Sequence, residues 1–226
     1  MSPNTKTNQL ATWQAEFGRE YTDRNLYSVE EIDRLLEESR GVKQSEIFRQ
    51  FLPLRGFSFG RVLEVGCNIG NQLKLFDSVF PGFELYGIDP QNYAIDKGHT
   101  LNPEINFLVG SAFHIPFKDG MFDLVMTNGV LIHIHPDNLL GALSEIYRSS
   151  HRFIFCDEYF ADFAEQPCEI AYRGHTGLLW KMNYMQLYLD NFPDLKCLEV
   201  RRLHHRDPHT GADFVDQICL LEKGCS

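Results

Sequence analysis

From residue 61 onward, short β-branched and aromatic runs alternate with helical patterns, and that rhythm admits few architectures. Arg61–Val65 is an apolar run stopped by Gly66, after which Leu73, Leu75, Phe76 and Val79 recur at helical spacing. Residues 83–88 form a second run closed by Asp89-Pro90, helical signals return over 91–101, and 105–109 is a third strand. Residues 122–126 make a fourth. Residues 137–148 then read as a helix with Leu139, Leu140, Leu143 and Ile146 inward, and 152–156 is a fifth strand. Such β-α-β repetition predicts a parallel sheet, because each crossover helix returns the chain to the end where the last strand began, with helices on both faces. Residues 158–180 break the rhythm with polar and aromatic groups, the form of a binding loop or lid. A helix over about 181–191 leads to strand runs at 195–203 and 213–222, and the connector Asp207-Pro208-His209-Thr210-Gly211 suits a hairpin.

About the first 55 residues precede the first good strand and read as helical. The opening ten or so are polar and expected to fray. Ser28-Val29-Glu30-Glu31 has the form of a capping box, with Ile32, Leu35 and Leu36 following at helical spacing. A second pattern carries Ile47, Phe48, Phe51 and Leu52 and ends near Pro53. Trp13, Phe17 and Tyr21 are spaced i, i+4, i+8 and share one helical stripe. That stripe either packs as core or lies over the mouth of the sheet. The expected organisation is a helical cap over 1–55 and an α/β domain over 56–226, with 158–180 as a substrate-side insertion. At 43% hydrophobic and 23% charged the composition is globular. Twenty-one basic against 31 acidic residues give a net charge of −10, which disfavours nucleic acid as a partner. No apolar run reaches the roughly 20 residues of a membrane helix, and the polar opening lacks the apolar stretch of a secretory signal. Six cysteines without a C-x-x-C pair read as reduced thiols. A soluble, cytoplasmic protein acting on small molecules is expected, of unspecified oligomeric state.

The strongest local signal is Glu64-Val65-Gly66-Cys67-Asn68-Ile69-Gly70-Asn71, at a strand end just before a helix. Gly66 permits a sharp turn with exposed amides, and Gly70 permits close approach of the helix start to a ligand and the sheet. Asp89 ends the next strand, where a carboxylate can accept both hydroxyls of a ribose. A dinucleotide site would show G-x-G-x-x-G and usually a second domain. Here Asn68 holds the middle position, Glu64 would repel a pyrophosphate, and no second domain fits. S-adenosylmethionine has no phosphate and carries an ammonium and a sulfonium, so it is the favoured ligand.

These residues resemble the class I S-adenosylmethionine-dependent methyltransferases. The resemblance rests on Glu64-Val-Gly66 through Gly70, Tyr86-Gly-Ile-Asp89, Gly110-Ser111 and Phe122-Asp-Leu-Val125. A narrower resemblance, to the pseudaminic acid biosynthesis-associated methylases, adds Trp13 with Glu16-Phe17-Gly18, Tyr21 to Asn25, Gly129 to Ile134, Pro136 to Leu139, Glu158-Tyr159, Tyr172 to His175 and His205-Arg206-Asp207. It implies an α/β, Rossmann-like methyltransferase fold: a mostly parallel seven-stranded sheet with an antiparallel terminal strand and an N-terminal helical cap. It also implies roles. Glu64, Gly66, Asn68 and Gly70 would line the methionine and ribose end, Asp89 would hold the ribose, and Ser111, Ala112 and Phe113 would meet adenine. Asn128 and Gly129 would flank the sulfonium, with Trp13 closing over it. Arg24, Tyr172, Arg173 and His175 would lie on the substrate side. The group's commoner Asp is replaced by Ser111, which removes an acidic contact to adenine.

Two further features bear on the reaction. Leu131-Ile132-His133-Ile134-His135 would place both histidines on one side if extended, but no third ligand accompanies them, and no metal is expected. His133, or the hydroxyl of Tyr21 or Tyr172, could take a proton, with Asn128 as the neutral polar group nearest the reacting centre. The leading expectation is methyl transfer to oxygen or nitrogen of a small polar acceptor from secondary or sugar metabolism. One alternative is closure of the cofactor's own amino acid to azetidine-2-carboxylate with release of methylthioadenosine, a reaction known on this fold. The other is non-catalytic cofactor binding.

Overall fold

The computed structural model describes residues 7–52, 60–162, 167–206 and 212–224. Strands β1 (Arg61–Val65), β2 (Glu84–Asp89), β3 (Asn106–Val109), β4 (Phe122–Asn128) and β5 (Ser150–Tyr159) pair in parallel, in the spatial order β3-β2-β1-β4-β5. Two more strands, β8 (Leu195–Arg206) and β9 (Asp213–Lys223), complete seven: β9 runs antiparallel to β5, and β8 antiparallel to β9. The hairpin connector 207–211 lies outside the described residues. The short strands β6 (Cys168–Glu169) and β7 (Trp180–Lys181) form a separate ribbon inside the insertion. Crossovers are made by α5 (Asn71–Val79), α6 (Asn92–Leu101) and α7 (Pro136–Ser149), and α8 (Tyr184–Asn191) precedes β8.

Period-two alternation in the central strands divides the core in two. Leu63, Val65 and Val125 face Leu139, Leu143, Ile146, Tyr184 and Tyr188. Val62, Leu124 and Met126 face Leu73, Phe76, Phe155 and Phe48. Both sheet faces are therefore dry, as a parallel sheet requires. Cys67, Cys156, Cys168, Cys197 and Cys219 form no disulfide.

The N-terminal segment holds four helices: α1 (Asn8–Gln14), α2 (Glu16–Arg24), α3 (Val29–Arg40) and α4 (Gln44–Phe51). The capping box is present at α3, Ser28 and Glu31 each accepting from the other's backbone N–H at 3.2 and 2.8 Å. Four sequence expectations need correction. The frayed start expected over about ten residues lies outside the described residues for 1–6, and residues 7–10 are ordered at the start of α1, where Thr7 caps the helix by accepting from the Leu10 amide. Trp13 and Tyr21 do not share one helix, because extended backbone at Ala15 separates α1 from α2; their rings still meet at 5.2 Å. And β5 runs on through Tyr159, three residues past the apolar run, because β9 pairs with it that far and brings Asp157 and Glu158 into the sheet. A fourth concerns the helix expected from 181, which begins only at Tyr184, since Trp180–Lys181 is spent on β7.

Candidate active site

Every element that closes the site converges on the carboxyl ends of β1, β2, β4 and β5. A cavity of about 120 Å³ lies there, lined by residues of the β1 loop, the ends of β2 and β4, the 111–113 turn and the two N-terminal helices. Gly66 adopts φ +73, and a Cβ on it would lie 2.5 Å from Cγ2 of Val130, so only glycine allows the β1 turn to pass under the β4 loop. Gly70, at φ +84, starts α5 against the ring of Phe107. It sets packing without lining the cavity. Asn68 also sits at positive φ (51°), with its Oδ1 buried and without a hydrogen-bond partner.

Asp89 joins the loop to the strand end. Its Oδ2 accepts from the Asn68 amide at 2.9 Å and its Oδ1 from the Gln91 amide at 2.8 Å. Burial raises its pKa to about 6 against the pull of those two bonds. Glu64 lies below the loop instead of lining the cavity: it is buried, its Oε2 has no partner, and burial together with Asp89 pushes its pKa well up. Ser111, Ala112 and Phe113 line the cavity beside Asp89.

Above the cavity the α1–α2 elbow forms a roof. Trp13 and Tyr21 line it from that side. The Nε1 of Trp13 is buried with no acceptor, an orphaned donor facing a space that an acceptor would satisfy. Gln91 fastens the roof: its Nε2 donates to the carbonyls of Trp13 and Ala15 at 3.1 and 2.9 Å. Asn71 adds a bond to the carbonyl of Asn25 at 2.8 Å, and Gln9 reaches the Gly177 carbonyl in the insertion at 3.0 Å.

His133 and His135 do not share a side, because residues Leu131–His133 form a 3₁₀ turn, not a strand. His135 instead caps α7, accepting from the Asp137 amide. His133 turns inward. Its Nδ1 is 2.6 Å from the Leu178 carbonyl, which can only accept, so Nδ1 carries the proton and Nε2 keeps a lone pair. Burial lowers its pKa to about 4, so the ring is neutral near pH 7. It packs against Trp13 and Tyr172 at 4.7 and 5.1 Å. Burial also raises Tyr21 above the usual phenol range, which makes it a hydrogen-bond donor and not a phenolate base.

Asn128 ends β4 and lines both this cavity and a second one of about 290 Å³, where Tyr172 joins the lining. Its Nδ2 donates to Asp157 at 3.2 Å, and the Gly129 amide donates to the Asp157 carbonyl at 2.9 Å. Arg40, the last residue of α3, ties Asp157 to Asp216 of β9 at 3.0 and 3.1 Å, and also donates to Gln44. Glu158 braces the following loop by accepting from the amides of Val130 and Ile132, and burial raises its pKa to about 8.

Three residues expected on the substrate side lie elsewhere. Arg24 is at the surface, paired with Glu20 at 3.7 Å, because it falls on the outer face of α2. Arg173 is exposed at positive φ in a tight turn closed by the Tyr172–His175 bridge, its guanidinium lying over the Tyr172 ring. His175 is exposed too, in edge contact with Phe17. In return, Gln91, Arg40, Asp157 and Asp216 were not singled out from sequence. Asp157 had a signal, since it follows the apolar part of a parallel strand at its carboxyl end, where such sheets bind ligands. The other three had none.

A doubly wound sheet with a glycine turn, a buried carboxylate and a roofed cavity at its switch point is the arrangement in which such α/β folds hold ligands. Residues 63–152 match the family model of a methyltransferase domain. An uncharacterised methyltransferase of Schizosaccharomyces pombe is 28% identical over 134 residues, 54% of this chain and 48% of that protein. The chain thus spans about half the length of that curated relative, and about a third (34%) of the next. Among solved structures, a 1,6-didemethyltoxoflavin N1-methyltransferase from Burkholderia thailandensis, with bound 1,6-didemethyltoxoflavin and S-adenosylhomocysteine, superposes with a TM-score of 0.64 at 16% identity. That likeness covers 100% of this chain and 93% of the other. A magnesium protoporphyrin IX methyltransferase from Synechocystis, with bound S-adenosylmethionine, gives 0.66 at 14% identity over 98% and 100%. Residues 63–152 are thus similar to a methyltransferase domain, and the whole chain shares the α/β fold of these solved methyltransferases.

Proposed function

We propose that the protein is an S-adenosylmethionine-dependent enzyme of small-molecule metabolism that transfers a methyl group to oxygen or nitrogen of a small polar acceptor. One observation carries this reading: the Asp89 carboxylate stands at the mouth of a cavity floored by the Gly66 turn and roofed by Trp13 and Tyr21. A nucleoside fits these groups. Asp89 can accept from ribose hydroxyls, the orphaned Trp13 Nε1 and Asn68 Oδ1 offer a buried donor and acceptor, and the 111–113 turn gives adenine an edge.

The bound sulfonium would supply an electrophilic methyl and a neutral thioether as leaving group. The chain's own part is then to bind, align and keep water out, and positioning alone can contribute about 7–11 kcal/mol. Trp13, Tyr21 and Tyr172 present rings to the sulfonium end, with cation–π contacts worth about 0.5–2 kcal/mol each. Asn128, fixed by Asp157, orients whatever enters from the second cavity. The lone pair on His133 Nε2 can accept a proton, and its low basicity limits it to an acceptor made acidic by the reaction itself.

Asn128 also favours a second reading, closure of the cofactor's own amino acid to azetidine-2-carboxylate. A neutral amide meeting the cofactor's nitrogen leaves the lone pair free to attack its γ-carbon, while the carbon–sulfur bond breaks and methylthioadenosine departs. Incubation with S-adenosylmethionine alone, read by mass spectrometry, separates the two. Methylthioadenosine with a new cyclic amino acid means closure, and turnover only with added acceptor means methyl transfer. Calorimetry that finds no heat with S-adenosylhomocysteine, while NAD binds, overturns both.

A further inference from the structure

The second cavity has a polar wall that the nucleoside does not use. Arg40 from α3, Asp157 and Tyr159 from β5, His205 from β8 and Asp216 from β9 meet there, and the cavity adjoins the first, sharing Tyr21, Asn128, Gly129 and His133 as lining. At about 290 Å³ it holds roughly ten waters' worth of liquid volume, at about 30 Å³ each. Its lining sets two carboxylates against the single Arg40 guanidinium, with the Lys181 ammonium acting on Asp216 from outside the lining. Asp157 is satisfied, since both its oxygens accept from Arg40 and one also from Asn128. Asp216 is not. Its Oδ2 accepts from Arg40 at 3.1 Å and lies 3.4 Å from Nδ1 of His205, while its Oδ1, on a residue only 6% exposed, has no hydrogen-bond partner. An orphaned carboxylate oxygen in an acidic cavity wants a donor, and a cationic one most. A carboxylate or phosphate ligand would meet that oxygen with like charge.

We infer that this second cavity is a recognition site for a protonated primary amine, held by Oδ1 of Asp216 with the Arg40–Asp157 pair fixing that carboxylate from behind. The inference rests on the proposed function and deepens it, for the amine has two sources. It is either the amino group of a separate acceptor or the α-amino group at the tail of the cofactor, which would enter past Asn128.

Full-length protein and Asp216→Asn are compared by calorimetry at pH 8, where Asp216, raised to about 7 by burial and Asp157, is ionised. Two nucleosides serve as probes: S-adenosylhomocysteine, which carries the amino-acid tail, and methylthioadenosine, which lacks it. If the amine is the cofactor's own, Asp216→Asn weakens S-adenosylhomocysteine at least tenfold and leaves methylthioadenosine within twofold. If it belongs to an acceptor, both nucleosides bind the variant as they bind the wild type. In that case putrescine binds the wild type saturated with S-adenosylhomocysteine, loses at least tenfold in the variant, and glutarate of similar length does not bind. The inference is overturned if the variant changes none of these, if methylthioadenosine weakens as much as S-adenosylhomocysteine, or if glutarate binds as well as putrescine. Should Asp216→Asn fail to fold, Ser39→Lys at the cavity rim, which adds a competing ammonium and keeps the acidic cluster, must produce the same selective loss. Failure of both nucleosides to bind wild-type protein instead refutes the proposed function, a result distinct from these.

Discussion

At the scale of single residues, the proposed function gives Asp89 a part in binding and Asn128 a part in turnover. Asn128→Ala is expected to keep S-adenosylhomocysteine affinity within about threefold and to lower turnover by two orders of magnitude or more. Calorimetry beside a product assay checks this, and an active variant removes Asn128 from the reaction. The pKa of Asp89, raised to about 6, has opposite consequences for binding and folding. Ribose hydroxyls donate to the carboxylate form, so nucleoside affinity should fall as pH drops through 6, approaching tenfold per unit below it. Folding responds the other way: between the unfolded value near 3.8 and 6 the folded chain binds more protons than the unfolded, so this group opposes folding above pH 6 and ceases to do so as pH falls. A titration of affinity from pH 5 to 8 that stays flat would contradict the ribose assignment. Gly66→Ala combines a strained φ, costing about 1–3 kcal/mol, with the collision at Val130. Urea unfolding should show that Val130→Ala returns the steric part of the loss and not the backbone part.

The α1–α2 elbow is the element on which access depends. Its attachments are polar bonds and ring contacts: Gln91 to the Trp13 and Ala15 carbonyls, Asn71 to the Asn25 carbonyl, Gln9 to the Gly177 carbonyl, Asp23 to Tyr93 and Lys97, and Trp13 against His133, with no room for a side chain at Gly18 beneath the Trp13 carbonyl. Neither helix buries a large apolar side chain, since α1 has no buried residue and α2 only Gly18 and Thr22, and such elements belong to the low-stability end of a fold, where lids are found. Gln91→Ala should therefore speed nucleoside dissociation about tenfold in stopped-flow measurements and expose α2 to earlier tryptic cleavage, with the midpoint of global unfolding little changed. Equal loss of global stability would mean that the elbow is part of the core.

Across the whole molecule the Arg40 cluster ties the N-terminal helices to the far side of the sheet. One guanidinium joins α3 to β5 and β9, at positions 117 and 176 residues away in sequence. Removing one partner of a buried pair strands the other charge, so Arg40→Met should lose about 3–5 kcal/mol in urea unfolding. Part of that loss should return at pH 6, where Asp216, with a pKa of about 7, is mostly protonated and no longer a stranded charge. No helix among the described residues is long and apolar enough to cross a membrane.

What the sequence determined by itself was whatever local spacing encodes. Strand alternation, the glycine pair, the capping box and the carboxylate closing β2 are read within a few residues, because steric limits on φ and the two periodicities act at that range. They were enough for the doubly wound sheet and for the position of a cavity at the carboxyl ends of its strands. The tertiary structure alone decided which polar residues face the cavity. Arg24 and Arg173 were expected on the substrate side and Arg40 was not, yet those two are at the surface and Arg40 is buried between carboxylates from distant strands. No local pattern reports that choice, because a charge enters a core only where partners from other elements arrive to neutralise it, and that meeting is fixed by the sheet's order.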